Sequence, residues 1–196
     1  MKLNQAESIA REIVDELRPG CDRIEIAGSI RRGKSEVKDI EIVFIPHIVY
    51  RITDLFGAGE PVPATDPLLG DLIYLCVLKR DEEVKRWGPK YKRGIHVASS
   101  MVVELFRAEP DNWGYIFALR TGPAEFNHLL VSRDWQGGAM PPNLKVQDGY
   151  LWRNGQLVVT PDEETFFAEV GIPCWPPEER PAGKLAAFLA NRETGS

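Results

Sequence analysis

The stretch that most limits what this chain can fold into runs from Ile24 to Pro46. There, two strand-length apolar runs flank a connection dense in glycine and arginine. Its second half, Asp39-Ile40-Glu41-Ile42-Val43-Phe44-Ile45, carries acidic residues two apart. On a β-strand, Asp39 and Glu41 leave one face while Ile40, Ile42 and Phe44 leave the other. One face is therefore expected to be chemical and the other core. Two carboxylates this close repel each other unless cations neutralise them, which makes a divalent metal their natural partner. The preceding turn, Gly28-Ser29-Ile30-Arg31-Arg32-Gly33, offers a hydroxyl, guanidinium groups and backbone amides, for which phosphate is the natural ligand.

Around this stretch the spacing predicts an amphipathic helix from Ala6 to Leu17, ended by Pro19-Gly20. Strands follow over Ile24–Ala27 and Ile40–Ile45, joined by a turn-rich connection from Gly28 to Lys38. Residues 47–71, punctuated by Gly57, Gly59, Pro61, Pro63, Pro67 and Gly70, read as mostly irregular with one short helix around Ile52–Phe56. Leu72–Leu78 is an apolar run of strand length that also suits a helical turn. Tyr91–Val97 and Met101–Phe106 read as a hairpin. Glu104 interrupts the second of these strands, either as a residue on a wet face or as a third functional carboxylate.

Beyond Pro110 the pattern turns helical. Helices are expected over Trp113–Arg120 and Ala124–Val131, with Pro123 opening the second. Asn154-Gly155 marks a hairpin between Tyr150–Arg153 and Gln156–Val159. Thr160-Pro161-Asp162-Glu163 reads as an N-cap, a first-position proline and a capping-box glutamate, with the helix running to Val170 and ending at Gly171. A short amphipathic helix is expected over Lys184–Leu189, in a tail with frayed last residues.

With 196 residues, 43% hydrophobic and 27% charged, the chain has the composition of an ordinary globular protein. It contains no apolar run of membrane-spanning length, and its first residues turn charged too early for a secretory signal, so a cytoplasmic protein is expected. Cys21, Cys76 and Cys174 have neither zinc spacing nor a Cys-x-x-Cys pair, and His47, His96 and His128 fall at no zinc spacing. A net charge of −5 argues against general electrostatic attraction to nucleic acid. Locally, Lys79, Arg80, Lys85, Arg86, Lys90, Lys92 and Arg93 are interleaved with Trp87 and Tyr91. This segment reads either as a solvated, charge-mixed hairpin surface or as a patch that follows a nucleic-acid backbone.

Two carboxylates on one strand, a third on a later strand of the same sheet and a Ser/Arg turn would together make a two-metal phosphoryl-transfer site. Gly28-Ser29-x-Arg31-Arg32-Gly33, five residues, then Asp39-x-Glu41 resembles the signature of the family X DNA polymerases, the polymerase β-like branch of the nucleotidyltransferase superfamily. Further matches are Glu104 within Val-Val-Glu-Leu-Phe, Thr121-Gly122-Pro123 followed by Phe126-Asn127, and Gly171-Ile172-Pro173 through Trp175-Pro176-Pro177-Glu178-x-Arg180. The chain departs from the family at Glu41 and Glu104, where aspartate is usual, and at Leu119-Arg120, where an aromatic pair is usual.

The resemblance implies an α+β fold, a nucleotidyltransferase palm with a mixed sheet and flanking helices over residues 1–109. A small α/β thumb would follow over 110–181, and a tail over 182–196. It implies that Asp39, Glu41 and Glu104 are catalytic and hold two Mg2+ or Mn2+ ions. Gly28, Ser29, Arg32, Thr121, Gly122 and Asn127 would bind nucleotide; on the backbone-following reading of the basic segment, Lys85, Arg86, Lys90, Lys92 and Arg93 are the residues expected to bind DNA. The expected activity is gap-filling, repair-type addition of deoxynucleotides from their triphosphates to the 3′ end of primed or gapped DNA, away from any membrane. The alternatives are a nucleotidyltransferase acting on a non-DNA acceptor and a catalytically weakened DNA-binding module. The resemblance also implies a cis Gly122–Pro123 peptide bond, proline being the residue before which cis is least costly.

Overall fold

The computed structural model describes residues 1–52, 57 and 59–194. The chain divides into two compact units, one of residues 1–26 and 34–107, the other of residues 27–33 and 108–196. Its elements begin with α1 (Leu3–Leu17) and β1 (Cys21–Ile26), followed by the single-turn helix α2 (Gly28–Arg31) of the second unit. The first unit continues with β2 (Asp39–Pro46), β3 (Ile48–Ile52), β4 (Gly59–Pro63), α3 (Thr65–Tyr74), β5 (Leu78–Arg80), β6 (Tyr91–His96) and β7 (Val102–Arg107).

Five of these strands form one sheet in the order β1-β2-β7-β6-β5. The β2–β7 pair is parallel and the others antiparallel, so the sheet is mixed. The apolar stripe of α1, Ala6, Ala10, Ile13, Val14 and Leu17, is buried, and the helix packs against β1, β2 and α3. Ile40 and Ile42 are fully buried, as the alternation requires, but so is Val43 on the face of Asp39 and Glu41. The chemical face is thus confined to the first three residues of β2, and beyond Glu41 both faces are core.

Residues 47–71 are more regular than expected. β3 and β4 pair antiparallel as an exposed ribbon, and α3 begins at Thr65. Pro67 does not break α3 because it sits in the first turn, whose N–H groups have no intrahelical acceptor. Of the helix expected over Ile52–Phe56, Ile52 ends β3 and residues 53–56 lie outside the described residues. The Leu72–Leu78 run is divided: it ends α3, turns at Cys76 with φ of 58°, and starts β5.

The second unit contains α4 (Trp113–Thr121), α5 (Ala124–Val131), β8 (Leu144–Gln147), β9 (Tyr150–Arg153), β10 (Gln156–Val158), α6 (Glu163–Val170) and α7 (Ala182–Thr194). Its strands form an antiparallel sheet in the order β10-β9-β8. The hairpin at Asn154-Gly155 is present, both residues having positive φ. Sequence reasoning missed β8, although Asp148-Gly149 carries the same kind of turn signal, with φ of 56° and 87°.

The start of α6 differs from expectation. Asp162 is the N-cap, its Oδ1 accepting from the Thr165 N–H at 2.7 Å, and Glu163 is the first helical residue. Thr160 is drawn into backbone pairing instead: its N–H donates to Asp111 O, and its carbonyl accepts from Gly114 N–H at 2.7 Å. Gly171 ends the helix in the left-handed conformation, as expected. The helix expected over Lys184–Leu189 is present and longer, as α7, and its Leu185 is fully buried beside Phe126, Phe166, Phe167 and Leu151. Among the described residues, no helix is long and apolar enough to cross a membrane.

Candidate functional site

In the first unit, β2 and β7 run parallel with Glu41 directly opposite Glu104 and Asp39 opposite Val102. Residues opposite one another on parallel neighbours face the same way, so Asp39, Glu41 and Glu104 share one face of the sheet. β6 lies on the other side of β7 and places Arg93 opposite Glu104.

Glu104 is largely buried, and its Oε1 accepts hydrogen bonds from the Tyr91 hydroxyl and, at 3.1 Å, from Arg93 Nη1. Arg93 Nε in turn donates to Asp81 Oδ2 at 2.7 Å. The hydrogen bond from Arg93 is the main reason that the Asp81 carboxyl lies below its ordinary pKa, and the same bond raises that of Arg93. Burial, then the bond to Glu104, pushes the Tyr91 hydroxyl up. The Tyr91 ring stacks on Phe106 at 5.0 Å, which fixes where its hydroxyl points.

The three carboxylates supply only oxygen, the donor type of a hard divalent cation, and they come from adjacent strands facing one way. Among the described residues, however, no three His, Cys, Asp or Glu side chains converge as a ready-made metal cage. Glu104 is turned onto Arg93 and Tyr91. The donor set suits magnesium or manganese in kind, and Glu104 among its members is engaged by a cation of the protein's own.

The basic residues of the β5–β6 connection divide into two groups. Lys85, Arg86 and Lys90 are exposed. Lys92 and Arg93, also expected to contact DNA, are directed to their own unit: Lys92 Nζ donates to Gly88 O at 3.2 Å and lies 3.5 Å from Asp66, and Arg93 holds Asp81 and Glu104.

In the second unit, the turn that begins at Gly28, with φ of 62°, is tied to α4 and α6. Arg32 Nη1 donates to Thr121 O. Arg31 Nη1 donates to Thr121 Oγ1 at 2.6 Å, Arg31 Nη2 to Glu163 Oε2 at 2.5 Å, and the Arg31 guanidinium lies over the Phe117 ring. The other oxygen of Glu163 accepts from Arg180 Nη1 at 2.6 Å, and Arg180, 2% exposed, also donates to Trp175 O. Glu163 is therefore the buried anion between two arginines, not a capping-box residue. Sequence reasoning missed this role because its partners lie 132 and 17 residues away. Ser29 Oγ is buried without a hydrogen-bond partner among the described residues.

Asn127 clamps the α4–α5 junction, its Nδ2 donating to Leu119 O at 2.6 Å and to Gly122 O at 2.9 Å. A Cβ at Gly122 would meet Asn127 Oδ1 at 2.1 Å, so a larger residue there would push the Asn127 amide aside. The expected cis Gly122–Pro123 bond is absent: no cis peptide bond occurs among the described residues. Gly122 and Pro123 are both extended, with ψ of 150° and 157°, the conformation that a residue before proline prefers. Trans is also the lower-energy isomer. This counts against aligning the α4–α5 junction with that of the family. Compared with known proteins, the chain matches no family model, and no curated protein matches it.

Proposed function

We propose that this chain is a nucleotidyltransferase of the family X polymerase kind, adding deoxynucleotides to the 3′ end of primed or gapped DNA. In this reading residues 1–109 are the palm and residues 110–181 the thumb. The observation that carries it is the register of β2 and β7, in which Glu41 and Glu104 are opposite one another with Asp39 on the same face. Asp39, Glu41 and Glu104 are the residues to hold Mg2+ or Mn2+, which when bound neutralises the charge that develops in phosphoryl transfer. Ser29, with its buried hydroxyl, and Arg32 hold the incoming triphosphate. Thr121 supports them through the bonds that tie the turn to α4, and Gly122 through its carbonyl, which accepts from Asn127. Asn127 acts in this reading mainly by fixing the α4–α5 junction, since its amide protons are already engaged. Lys85, Arg86 and Lys90 meet the DNA backbone, and binding through so few cations is weak, its salt dependence scaling with their number.

The test is primer extension with Mg2+ or Mn2+ on recessed and gapped duplexes, wild type against Asp39→Ala. Metal-dependent extension by wild type and none by the variant supports the reading, and no extension on any primed substrate overturns it. The engagement of Glu104 by Arg93 favours a second reading, a DNA-binding module with little turnover. That reading predicts a duplex mobility shift without extension, and gain of activity in Glu41→Asp/Glu104→Asp.

A further inference from the structure

Arg93 bridges two carboxylates that differ in what else they touch. Asp81, 6% exposed, takes the shorter contact, 2.7 Å through Nε, and its other oxygen accepts from the Val84 N–H at 3.2 Å. Glu104 takes the longer contact, 3.1 Å through Nη1, on the same oxygen that accepts from Tyr91. A guanidinium has five donors in a fixed fork, so it can give up one carboxylate and keep the other. Asp81 stands on the connection after β5, away from the β2–β7 pair, and its seat for Arg93 persists whichever way Glu104 turns. Oε1 of Glu104 already accepts from both Arg93 and Tyr91, so a metal that takes this oxygen must take the place of one of them.

We propose that Arg93 is a resident counter-cation that a divalent metal must displace from Glu104, withdrawing onto Asp81 when the metal binds. This rests on the reading of Asp39, Glu41 and Glu104 as metal ligands and adds its regulation. Without metal, Arg93 offsets the negative charge of Glu104 on the face of the sheet that also carries Asp39 and Glu41. With metal, Asp81 retains the guanidinium and spares it from being left unpaired beside a divalent ion. Arg93 and Asp81 are thus positioning residues that set the metal concentration at which the site fills.

The test is Mn2+ binding to the whole protein without nucleotide or DNA, by isothermal titration calorimetry and by loss of the free-ion spin-resonance signal. Arg93→Gln is expected to bind Mn2+ about fivefold more tightly than wild type, the worth of one partly buried ion pair. Asp81→Asn, which removes the alternative seat, is expected to bind about threefold more weakly on the same scale. Arg93→Met also removes the charge and, should Arg93→Gln not fold, must likewise bind more tightly than wild type. Weaker or unchanged Mn2+ binding in the folded Arg93 variants, with wild type binding normally, overturns the switch and leaves the metal-site reading intact. No Mn2+ binding by wild type, Arg93→Gln or Arg93→Met overturns both.

Discussion

Replacing Glu163 by glutamine isolates what a single buried charge contributes to the second unit. Both oxygens of Glu163 are occupied, by Arg31 Nη2 at 2.5 Å and Arg180 Nη1 at 2.6 Å. The glutamine keeps the volume and one carbonyl oxygen but removes the negative charge and one acceptor. Arg31, with its side chain 24% exposed, can turn partly to water, but that of Arg180 is 1% exposed and cannot. The expected cost is that of leaving one buried guanidinium uncompensated, about 4 kcal/mol. Against a total stability of about 5–15 kcal/mol, that is a large fraction.

Four of the five tryptophans, Trp113, Trp135, Trp152 and Trp175, lie in the second unit, so intrinsic fluorescence follows its unfolding. With a urea slope of about 2 kcal/mol per molar, the midpoint should fall by about 2 M. A double variant, Glu163→Gln with Arg180→Met, should recover part of this loss, because an apolar side chain carries no charge to strand. A fall of less than about 0.5 M in the single variant, or no recovery in the double one, would refute the reasoning.

Other outcomes follow from the same structure. Burial pushes the Glu163 carboxyl up, but the hydrogen bonds and charges of Arg31 and Arg180 more than offset it, leaving the folded pKa below the ordinary value. Its contribution to stability is therefore full above the unfolded value of about 4.3 and lost as pH falls through the folded one. Urea midpoints measured across that acidic range should fall less steeply for Glu163→Gln than for wild type. Gly114→Ala would bring a Cβ within 1.8 Å of Asp162 O where α4 meets the start of α6, costing about 3 kcal/mol by thermal or urea unfolding. Burial pushes the Cys21 thiol up to about 11, whereas Cys76 is exposed. At pH 8, mass spectrometry after brief iodoacetamide treatment should find Cys76 modified and Cys21 untouched, until urea exposes it.

Much of the scaffold was legible because it rests on local rules. The alternation in Asp39–Ile45 set a strand with its acids on one face, Asn154-Gly155 set a hairpin, and Gly171 set a helix end, each needing only neighbours in the chain. The errors arose where tertiary partners competed with local signals. Asp162 capped α6 because Thr160 was drawn into pairing with Asp111 and Gly114. Pro67 fell inside the first turn of a helix instead of ending one.

At the candidate site, residue types and spacing placed Asp39 and Glu41 on one face. Only the parallel pairing of β2 with β7 set Glu104 beside them, because register is a long-range choice made by whichever pairing buries both strands. The same holds for charge. Arg93 read as one more cation in a basic run, and Glu163 as one more acid at a helix start. A charge on a flexible side chain takes its role from the nearest opposite charge in space. Residue order alone says which groups this protein carries; the long-range packing is what pairs Arg93 with Glu104 and joins Arg31 to Arg180 through Glu163.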